Sequence, residues 1–259
     1  MLHTDCVLSI HNAYGGRRVL PQLLKLTAST LADDCYASLK NAILDLTFPP
    51  NMPLDEGQLA AQLGTSKTPV REALARLSGE GFVISTTNRR TLVAPLSAET
   101  TREVYSIRLL LEPASLRTVA AQLTSDDIDR LQRTIERGIV SPRADIDSYV
   151  QSAENFHSIL IAKTNNHLLM AMAGQLFDRA NRIRAAIYRV EQQEVRPTSS
   201  APGIENHQRI VDALRKGDEE QAVQALEDDI QGYLELMNSG PWQAAFAGLT
   251  YQPEQAERR

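Results

Sequence analysis

Apolar residues recur at helical spacing in the first part of the chain, with breaks at proline and glycine. From Leu31 to Leu46 they fall every three or four positions, and the pattern stops at Phe48-Pro49-Pro50, because a residue before proline is disfavoured in helical geometry. A second, short helix is expected from Asp55 to Leu63, where carboxylates suit its N-terminus and Gly64 suits its C-terminus. The pattern therefore predicts two helices between Leu31 and Gly64.

A third helix and a hairpin are expected next. Thr65-Ser66 offer an N-cap, Pro69 falls in the first turn, and an apolar stripe runs from Val70 to Leu77 before the chain reaches Gly79. Two β-branched stretches, residues 82–87 and 91–94, then flank the polar tip Asn88-Arg89-Arg90, which predicts a β-hairpin. Three helices followed by a hairpin predict a winged helix-turn-helix.

The second half of the chain has helical periodicity almost throughout. From Thr100 to about Asn238 we expect about six helices, with breaks near residues 124, 140, 165, 195–203 and 217. The predicted fold class is therefore mainly α, with an N-terminal winged helix-turn-helix and a C-terminal all-α helical bundle. The predicted division is an N-terminal extension at 1–28, expected to be mobile, a winged domain at 29–95, a helical domain at 100–238 and a tail at 239–259.

Composition narrows the functional class. The chain has 259 residues, of which 42% are hydrophobic and 23% charged, as in a globular protein. Its two cysteines form no CxxC pair, which argues against a disulfide framework and a thiolate zinc site. No apolar run is long enough for a membrane span and the N-terminus lacks a secretory pattern, so we expect a cytoplasmic protein without membrane contact.

Positive charge is concentrated on the third helix and the hairpin tip of a protein whose net charge is −5. Such a local basic patch suits binding to phosphates, and Lys or Arg at the start of a recognition helix can donate to guanine in the major groove. The alternative is a merely solvated helix face. The candidate DNA-binding residues are Thr65, Ser66, Lys67, Thr68, Arg71, Arg89 and Arg90.

The run from Leu54 through Ser66-Lys67-Thr68-Pro69-Val70-Arg71-Glu72-Ala73-Leu74 to Gly79-Glu80-Gly81-Phe82-Val83 resembles the winged-helix signature of GntR-family transcriptional regulators. The resemblance implies a homodimer that binds a palindromic operator through Lys67, Thr68 and Arg71. Gly57 stands where many members have a DNA-contacting arginine, and Arg90 stands where many have the glycine of the wing tip. These departures imply a different operator preference.

The helical half resembles the FCD-type ligand-binding domain of the FadR branch of that family. The match includes Ile107 to Glu112, Asn155-Phe156-His157 and Glu205-Asn206-His207. The resemblance implies a divalent metal held by one Asp and three His, and a small organic acid as effector. Here Ala153 replaces the Asp, and Asp229 stands in the position of the third His.

His207 and Asp229 can also be placed by geometry. His207 lies ten residues before Gly217, and Asp229 lies eleven after Asp218. At about 1.5 Å per residue, an antiparallel hairpin turning at Gly217 brings both to one level, roughly 15 Å from the turn. With His157 they make a two-His, one-carboxylate set able to bind Zn, Ni, Fe or Mn, to which Glu154 could add. The alternative is that the site is lost and both histidines are hydrogen-bonded core residues.

Arg108 is the candidate ligand-binding residue, because a buried arginine facing a cavity suits a carboxylate. The later arginines Arg179, Arg182 and Arg184 are expected to be solvated or paired with Asp178 or Glu191. The leading hypothesis is a ligand-responsive DNA-binding regulator, and the resemblance implies that it is a repressor. The alternatives are a DNA-binding protein whose helical half only dimerises, and a His/carboxylate metal enzyme, for which no general base, GxSxG elbow or phosphate loop is visible.

Overall fold

A computed structural model describes residues 30–87, 90–140, 156–193, 203–238 and 249–251. The predicted extension at 1–28 and most of the predicted tail lie outside these residues. The N-terminal part contains three helices and a two-stranded antiparallel sheet among its described residues: α1 (Leu31–Leu44), α2 (Glu56–Gln62), α3 (Lys67–Gly79), β1 (Val83–Ser85) and β2 (Thr91–Val93).

The ends of these short helices are set by local chemistry. Thr30 and Asp33 form a reciprocal capping box at the start of α1. The Asp55 carboxylate accepts two backbone N–H bonds at the start of α2, and Gly64 follows with φ +65°, a conformation that favours glycine. Ser66 occupies the N-cap position of α3, as predicted, although its hydroxyl makes no capping bond.

The hairpin packs on the helices and orients the tip. Val83 pairs with Val93 and Ser85 with Thr91, and Thr86 closes the end of the ladder by donating its backbone N–H to the Arg90 carbonyl. The helices and the sheet share one apolar core, centred on Ile43, Val70, Ala73, Leu77 and Val93. The three-helix and hairpin order confirms the predicted winged helix-turn-helix.

The rest of the described chain is helical. Helix α5 begins, α8 ends and α9 begins within about one residue of the predicted breaks near residues 124 and 217. Gly217, whose φ is +70°, ends α8, since this conformation favours glycine. The helices are α4 (Ala98–Val119), a 3-10 turn (Ala120–Gln122), α5 (Ser125–Val140), α6 (residues 156–162), α7 (His167–Gln193), α8 (Gly203–Lys216) and α9 (Glu219–Asn238).

These helices enclose a second core. Helix α9 packs against both α4 and α8, and α5 also packs against α8. Fully buried apolar side chains, among them Leu116, Ile183, Ile210 and Leu226, fill the interior. Within the described ranges, no helix combines the length and apolar character of a membrane span.

Helix α7 joins the two parts of the molecule. Three of its arginines donate to backbone carbonyls at the ends of winged-helix elements, and two of these carbonyls follow helix C-termini, which carry partial negative charge. Lys40 on α1 adds an ion pair with Asp178, with 2.7 Å between Nζ and Oδ2. The arginine contacts are Arg179 to Glu80 after α3, Arg182 to Ala94 after β2 (2.5 Å) and Arg189 to Asp45 after α1 (2.7 Å).

The expectation that the later arginines are solvated or paired with Asp178 or Glu191 is wrong for two of them. Arg182 and Arg184 are both buried. Arg182 donates to a backbone carbonyl, and Arg184 donates to the side chain of Asn181 one turn before it on the same helix. Burial lowers the pKa of Arg182 to about 10, which still leaves its guanidinium charged at neutral pH.

Candidate DNA-reading face and buried histidine site

The start of α3 presents a polar, basic face to solvent. Ser66, Lys67, Thr68 and Arg71 are exposed there, and Thr65 is half-buried. The opposite face of α3 carries the apolar stripe into the core. The structure therefore brings these five predicted residues onto one exposed helix end, which is the arrangement that the major groove admits.

Arg71 is held in place by an acidic neighbour. Its Nη2 lies 2.6 Å from Oε2 of Glu56 on α2, and Glu56 holds the Arg71 pKa above its ordinary value. Both side chains are solvent-accessible, so this ion pair is weak. It orients Arg71, and a DNA phosphate or base can displace Glu56 at little cost in free energy. Arg76, one helical turn further along α3, instead pairs with Asp33 and lies over the Tyr36 ring.

Gly57, which has no side chain, leaves room for the side chain of Lys67. A Cβ placed on Gly57 would lie 3.3 Å from Cε of Lys67, so the lysine side chain passes directly over the glycine. Any side chain at position 57 would have to share this space. Arg90 is exposed at the hairpin, and the predicted contact residue Arg89 lies outside the described residues.

Three predicted metal ligands meet inside the helical half. His157 on α6, His207 on α8 and Asp229 on α9 are all buried, and their ligand atoms lie within 4.8 Å of one another. The two Nε2 atoms are 3.1 Å apart, and Oδ2 of Asp229 lies 3.5 Å from that of His157 and 3.7 Å from that of His207. The Phe156 ring stacks on His207 with 4.0 Å between centroids and fixes its orientation.

The donor set fits a divalent metal ion. Ligands about 2.1 Å from one ion are separated by roughly 3.0–3.4 Å in octahedral or tetrahedral geometry, close to the observed spacings. Both carboxylate oxygens of Asp229 are buried without a hydrogen-bond partner, which is costly unless a cation satisfies them. Ala153 and the suggested extra ligand Glu154 lie outside the described residues.

Glu112 connects this donor set to Arg108. Its Oε2 lies 2.7 Å from Nδ1 of His157, and its Oε1 accepts a hydrogen bond of 2.5 Å from Nε of Arg108. A carboxylate against Nδ1 leaves Nε2 of His157 free to face an ion, the usual arrangement behind a metal-bound histidine. Arg108 is thus buried as predicted, with a partner one helical turn away on α4.

Burial and neighbouring charge set the protonation of this cluster. Burial alone would raise the pKa of Glu112, but Arg108 and His157 outweigh it and hold that pKa at about 2. Burial lowers the pKa of His157 to about 4, so its imidazole is neutral at pH 7. Burial opposes ionisation of Asp229 too, yet the two histidines and Arg108 keep its pKa below the ordinary value. Neutral imidazoles and an ionised carboxylate are the forms that bind metals.

Comparison with known proteins assigns the chain to a family. The family model described as "Bacterial regulatory proteins, gntR family" matches residues 31–93, and that described as "FCD domain" matches residues 103–232. The chain belongs to the GntR family. Its helical half is an FCD domain, which places it in the FadR-like branch. GntR-family proteins are transcriptional regulators that bind operator DNA, and this regulator is not an enzyme.

Individual relatives agree with this assignment. An uncharacterized HTH-type transcriptional regulator from the TAR-I ttuE-ttuC' intergenic region of Agrobacterium vitis is 31% identical over 131 residues, which is 49% of this chain and 77% of that protein. The probable D-xylose utilization operon transcriptional repressor of Paenarthrobacter nicotinovorans is 29% identical, over 81% of this chain and 90% of its own length. The structure of E. coli McbR/YncC has the same fold, with a TM-score of 0.67 and 24% identity over 81% of this chain and 98% of its own.

The FCD domain also holds polar atoms that sequence reasoning missed. The guanidinium of Arg108 lies 4.9 Å from the centre of the Tyr105 ring. Burial raises the pKa of the Tyr105 hydroxyl, and the charges of Arg108 and Arg184 partly oppose this rise. That hydroxyl, Nη1 of Arg108 and Nε of Arg184 are buried without a hydrogen-bond partner. Among the polar residues around Arg108, only Glu112 could have been found from the sequence, because it lies four residues after Arg108 and therefore one helical turn away. Tyr105 and Arg184 carried no such signal, because nothing local separates them from core and surface positions.

Proposed function

We propose that this GntR-family protein is a ligand-responsive regulator, acting as a repressor in the cytoplasm, that binds a palindromic operator as a homodimer. The observation that carries the proposal is a single chain of contacts from a buried polar site in the FCD domain to the DNA-reading domain. Relatives that are named as repressors support the direction of regulation.

The first step of this chain is the site itself. His157, His207 and Asp229 would hold a divalent metal such as Zn, Ni, Fe or Mn, which would offer a Lewis-acidic position to a ligand oxygen. The charges of Arg108, Arg184, Glu112 and Asp229 cancel, so a bound divalent cation would leave the site positive. A small organic acid fits this charge, and the unpartnered donors of Arg108, Arg184 and Tyr105 match carboxylate oxygens.

The second step is helix α7, which contacts both the site and the winged helix. Phe177 on α7 lies 6.1 Å from the His157 ring and 5.8 Å from the Arg108 guanidinium. Asp178 and Arg179, the next two residues, contact Lys40 and Glu80 of the winged helix. A ligand that favours one position of α7 would thereby favour one position of the winged-helix domain. Ligand binding in the FCD domain and DNA binding by the winged helix would then be coupled.

The DNA-reading part of the proposal is tested with Arg71→Ala. DNA fragments selected from a random-sequence library by the wild-type protein serve as the probe, and affinity is measured by fluorescence anisotropy across salt concentrations. We expect a loss of about tenfold or more, with a salt slope reduced by about one. Arg102→Ala, which removes an exposed arginine from α4, is the matched control and should bind as wild type. Wild-type binding by Arg71→Ala would contradict the assigned face.

The metal is tested by elemental analysis of purified protein. We expect one divalent ion per chain in the wild type, loss of that ion in His207→Ala, and retention in His167→Ala, which removes an exposed histidine at the start of α7. A wild-type protein that takes up no Zn²⁺, and whose melting temperature is unchanged by chelator, would contradict the metal site. The remaining interpretation would be a metal-free FCD domain that serves only for dimerisation or binds its ligand through Arg108.

A further inference from the structure

The loop between α1 and α2 (residues 45–55) reaches from the winged helix into the FCD domain. Its first residue, Asp45, accepts a hydrogen bond of 2.7 Å from Arg189 of α7. The next residue, Leu46, is 3% exposed and belongs to the apolar core of the FCD domain, whereas Ile43 belongs to the core of the winged helix. The chain therefore passes from one core into the other within a single helical turn.

The backbone of this loop is strained where the Leu46 side chain enters the FCD core. Three non-glycine residues among those described have a left-handed backbone, and two of them, Leu46 with φ +63° and Asn51 with φ +63°, lie in this loop. Glycine would end α1 at position 46 without strain. A strained residue persists where the surrounding structure enforces it, and such residues concentrate at functional positions. A leucine here therefore indicates that its buried side chain is needed.

The other end of the loop holds the wing. Asn51 donates its backbone N–H to the Val93 carbonyl at 3.0 Å, and Val93 donates back to the Met52 carbonyl at 2.9 Å. Val93 lies on β2, the strand that begins directly after the exposed Arg90 of the hairpin. A displacement of the loop therefore displaces β2 and Arg90 with it.

A further contact fixes the loop from the C-terminal part of the chain. The backbone N–H of Tyr251 donates to the Pro50 carbonyl at 2.8 Å. Leu249, two residues before Tyr251, packs against the apolar core of the FCD domain. The segment 249–251 thus joins the FCD core to the same loop that holds β2.

We propose that the loop between α1 and α2 positions the wing for DNA binding, and that Leu46 is the positioning residue that ties this loop to the FCD core. The FCD domain then sets the position of the wing through Asp45, Leu46 and Pro50, in addition to its contacts through α7. This role requires neither a metal nor a ligand. The inference therefore goes beyond the proposed function and holds whether or not the FCD domain senses an effector.

Leu46→Gly separates this role from that of merely ending α1. Glycine adopts a φ of +63° without strain, so a residue that only ends the helix would tolerate the change. We expect the dissociation constant for library-selected DNA to rise about fivefold, as it would if the fraction of molecules with a correctly placed wing fell to about one fifth. The salt dependence of binding should match wild type, because no phosphate contact is removed. Leu46→Met, which keeps most of the side-chain volume, should bind within about twofold of wild type.

A matched pair of alanine variants separates positioning from general loss of stability. Leu131 on α5 is fully buried in the same FCD core as Leu46. Leu46→Ala and Leu131→Ala should both lower the melting temperature, because each removes buried apolar volume. Only Leu46→Ala should weaken DNA binding, by about fivefold as for Leu46→Gly.

The contact from the C-terminal segment is tested at Tyr251. Tyr251→Pro removes the N–H that donates to Pro50, whereas Tyr251→Ala keeps it. Amide exchange at Asn51 and Val93 should be at least about tenfold faster in Tyr251→Pro, and much closer to wild type in Tyr251→Ala.

Three results would overturn the proposal. The first is wild-type DNA affinity in Leu46→Gly, which would make Leu46 only the residue that ends α1. The second is an equal loss of DNA affinity in Leu131→Ala and Leu46→Ala, which would reduce the effect to general destabilisation. The third is equal amide exchange in the proline and alanine variants of Tyr251.

Discussion

Glu112→Gln is the substitution that most directly probes the buried polar cluster. The change keeps the size of the side chain and removes its charge. Arg108, which is fully buried, then loses the carboxylate that accepts its Nε hydrogen bond at 2.5 Å. His157 loses the same carboxylate at Nδ1, where the separation is 2.7 Å.

The magnitude follows from the burial of both partners. Breaking a buried ion pair by removing one charge costs about 3–5 kcal/mol, because the other charge remains without compensation. For a domain of this size that corresponds to a fall in melting temperature of roughly 10 °C. We expect this fall in chelator-treated Glu112→Gln protein measured by differential scanning calorimetry at pH 7.

Two controls make the reasoning falsifiable. The double variant Arg108→Met with Glu112→Leu removes both charges and should be much closer to wild type than Glu112→Gln is, since no uncompensated charge remains. Acetate should raise the melting temperature of Glu112→Gln more than that of wild type, because the freed guanidinium can take a carboxylate. A Glu112→Gln protein as stable as wild type would refute the argument that this pair is a stabilising, fully desolvated contact.

Three further predictions concern other parts of the account. The pKa of His157 is about 4 in the fold against 6.5 for the free group, so the unfolded chain takes up its proton first. Stability of the chelated protein should therefore be complete above pH 6.5 and fall toward pH 4, by up to about 1.4 kcal/mol per pH unit, and His157→Gln should flatten this slope in urea titrations. Arg182→Met removes the hydrogen bond to the Ala94 carbonyl, so amide exchange should speed up in the winged helix while metal content is unchanged. Gly203→Val should lower Zn²⁺ affinity, because a Cβ there already lies 3.3 Å from Oη of Tyr233 and 3.7 Å from Oδ1 of Asp229, so the valine methyl groups would crowd the ligand Asp229. Gly174→Val, whose Cβ meets nothing, should leave the affinity unchanged, as isothermal titration calorimetry would show.

The sequence predicted the helical and turn structure well for physical reasons that act locally. Gly64, Gly81 and Gly217 adopt positive φ where the pattern predicted helix ends or turns, and Pro49 follows the end of α1. The exposure of Lys67 and Arg71 follows directly from the apolar stripe on the other side of α3. The spacing of apolar residues determines which side of a helix is buried. The polar residues on the other side of α3 are therefore exposed.

Other features of the site depend on contacts between distant segments. Arg182 and Arg184 were expected to be solvated or paired with Asp178 or Glu191, yet both are buried, because α7 passes between the winged helix and the FCD core. Neither position is distinguishable in the sequence from Arg179, which lies partly at the surface. The meeting of His157 with His207 was expected only through family resemblance, since 50 residues separate them.

The central claim is that the buried histidine site controls the DNA-reading face, and DNA affinity as a function of Zn²⁺ tests it most directly. The measurement is fluorescence anisotropy on the library-selected duplex, with chelated and Zn²⁺-loaded protein. We predict a change in affinity of about fivefold or more for wild type and for His167→Ala, and no change for His207→Ala. Equal affinities of the chelated and loaded wild-type protein, or the same change in His207→Ala, would contradict the account.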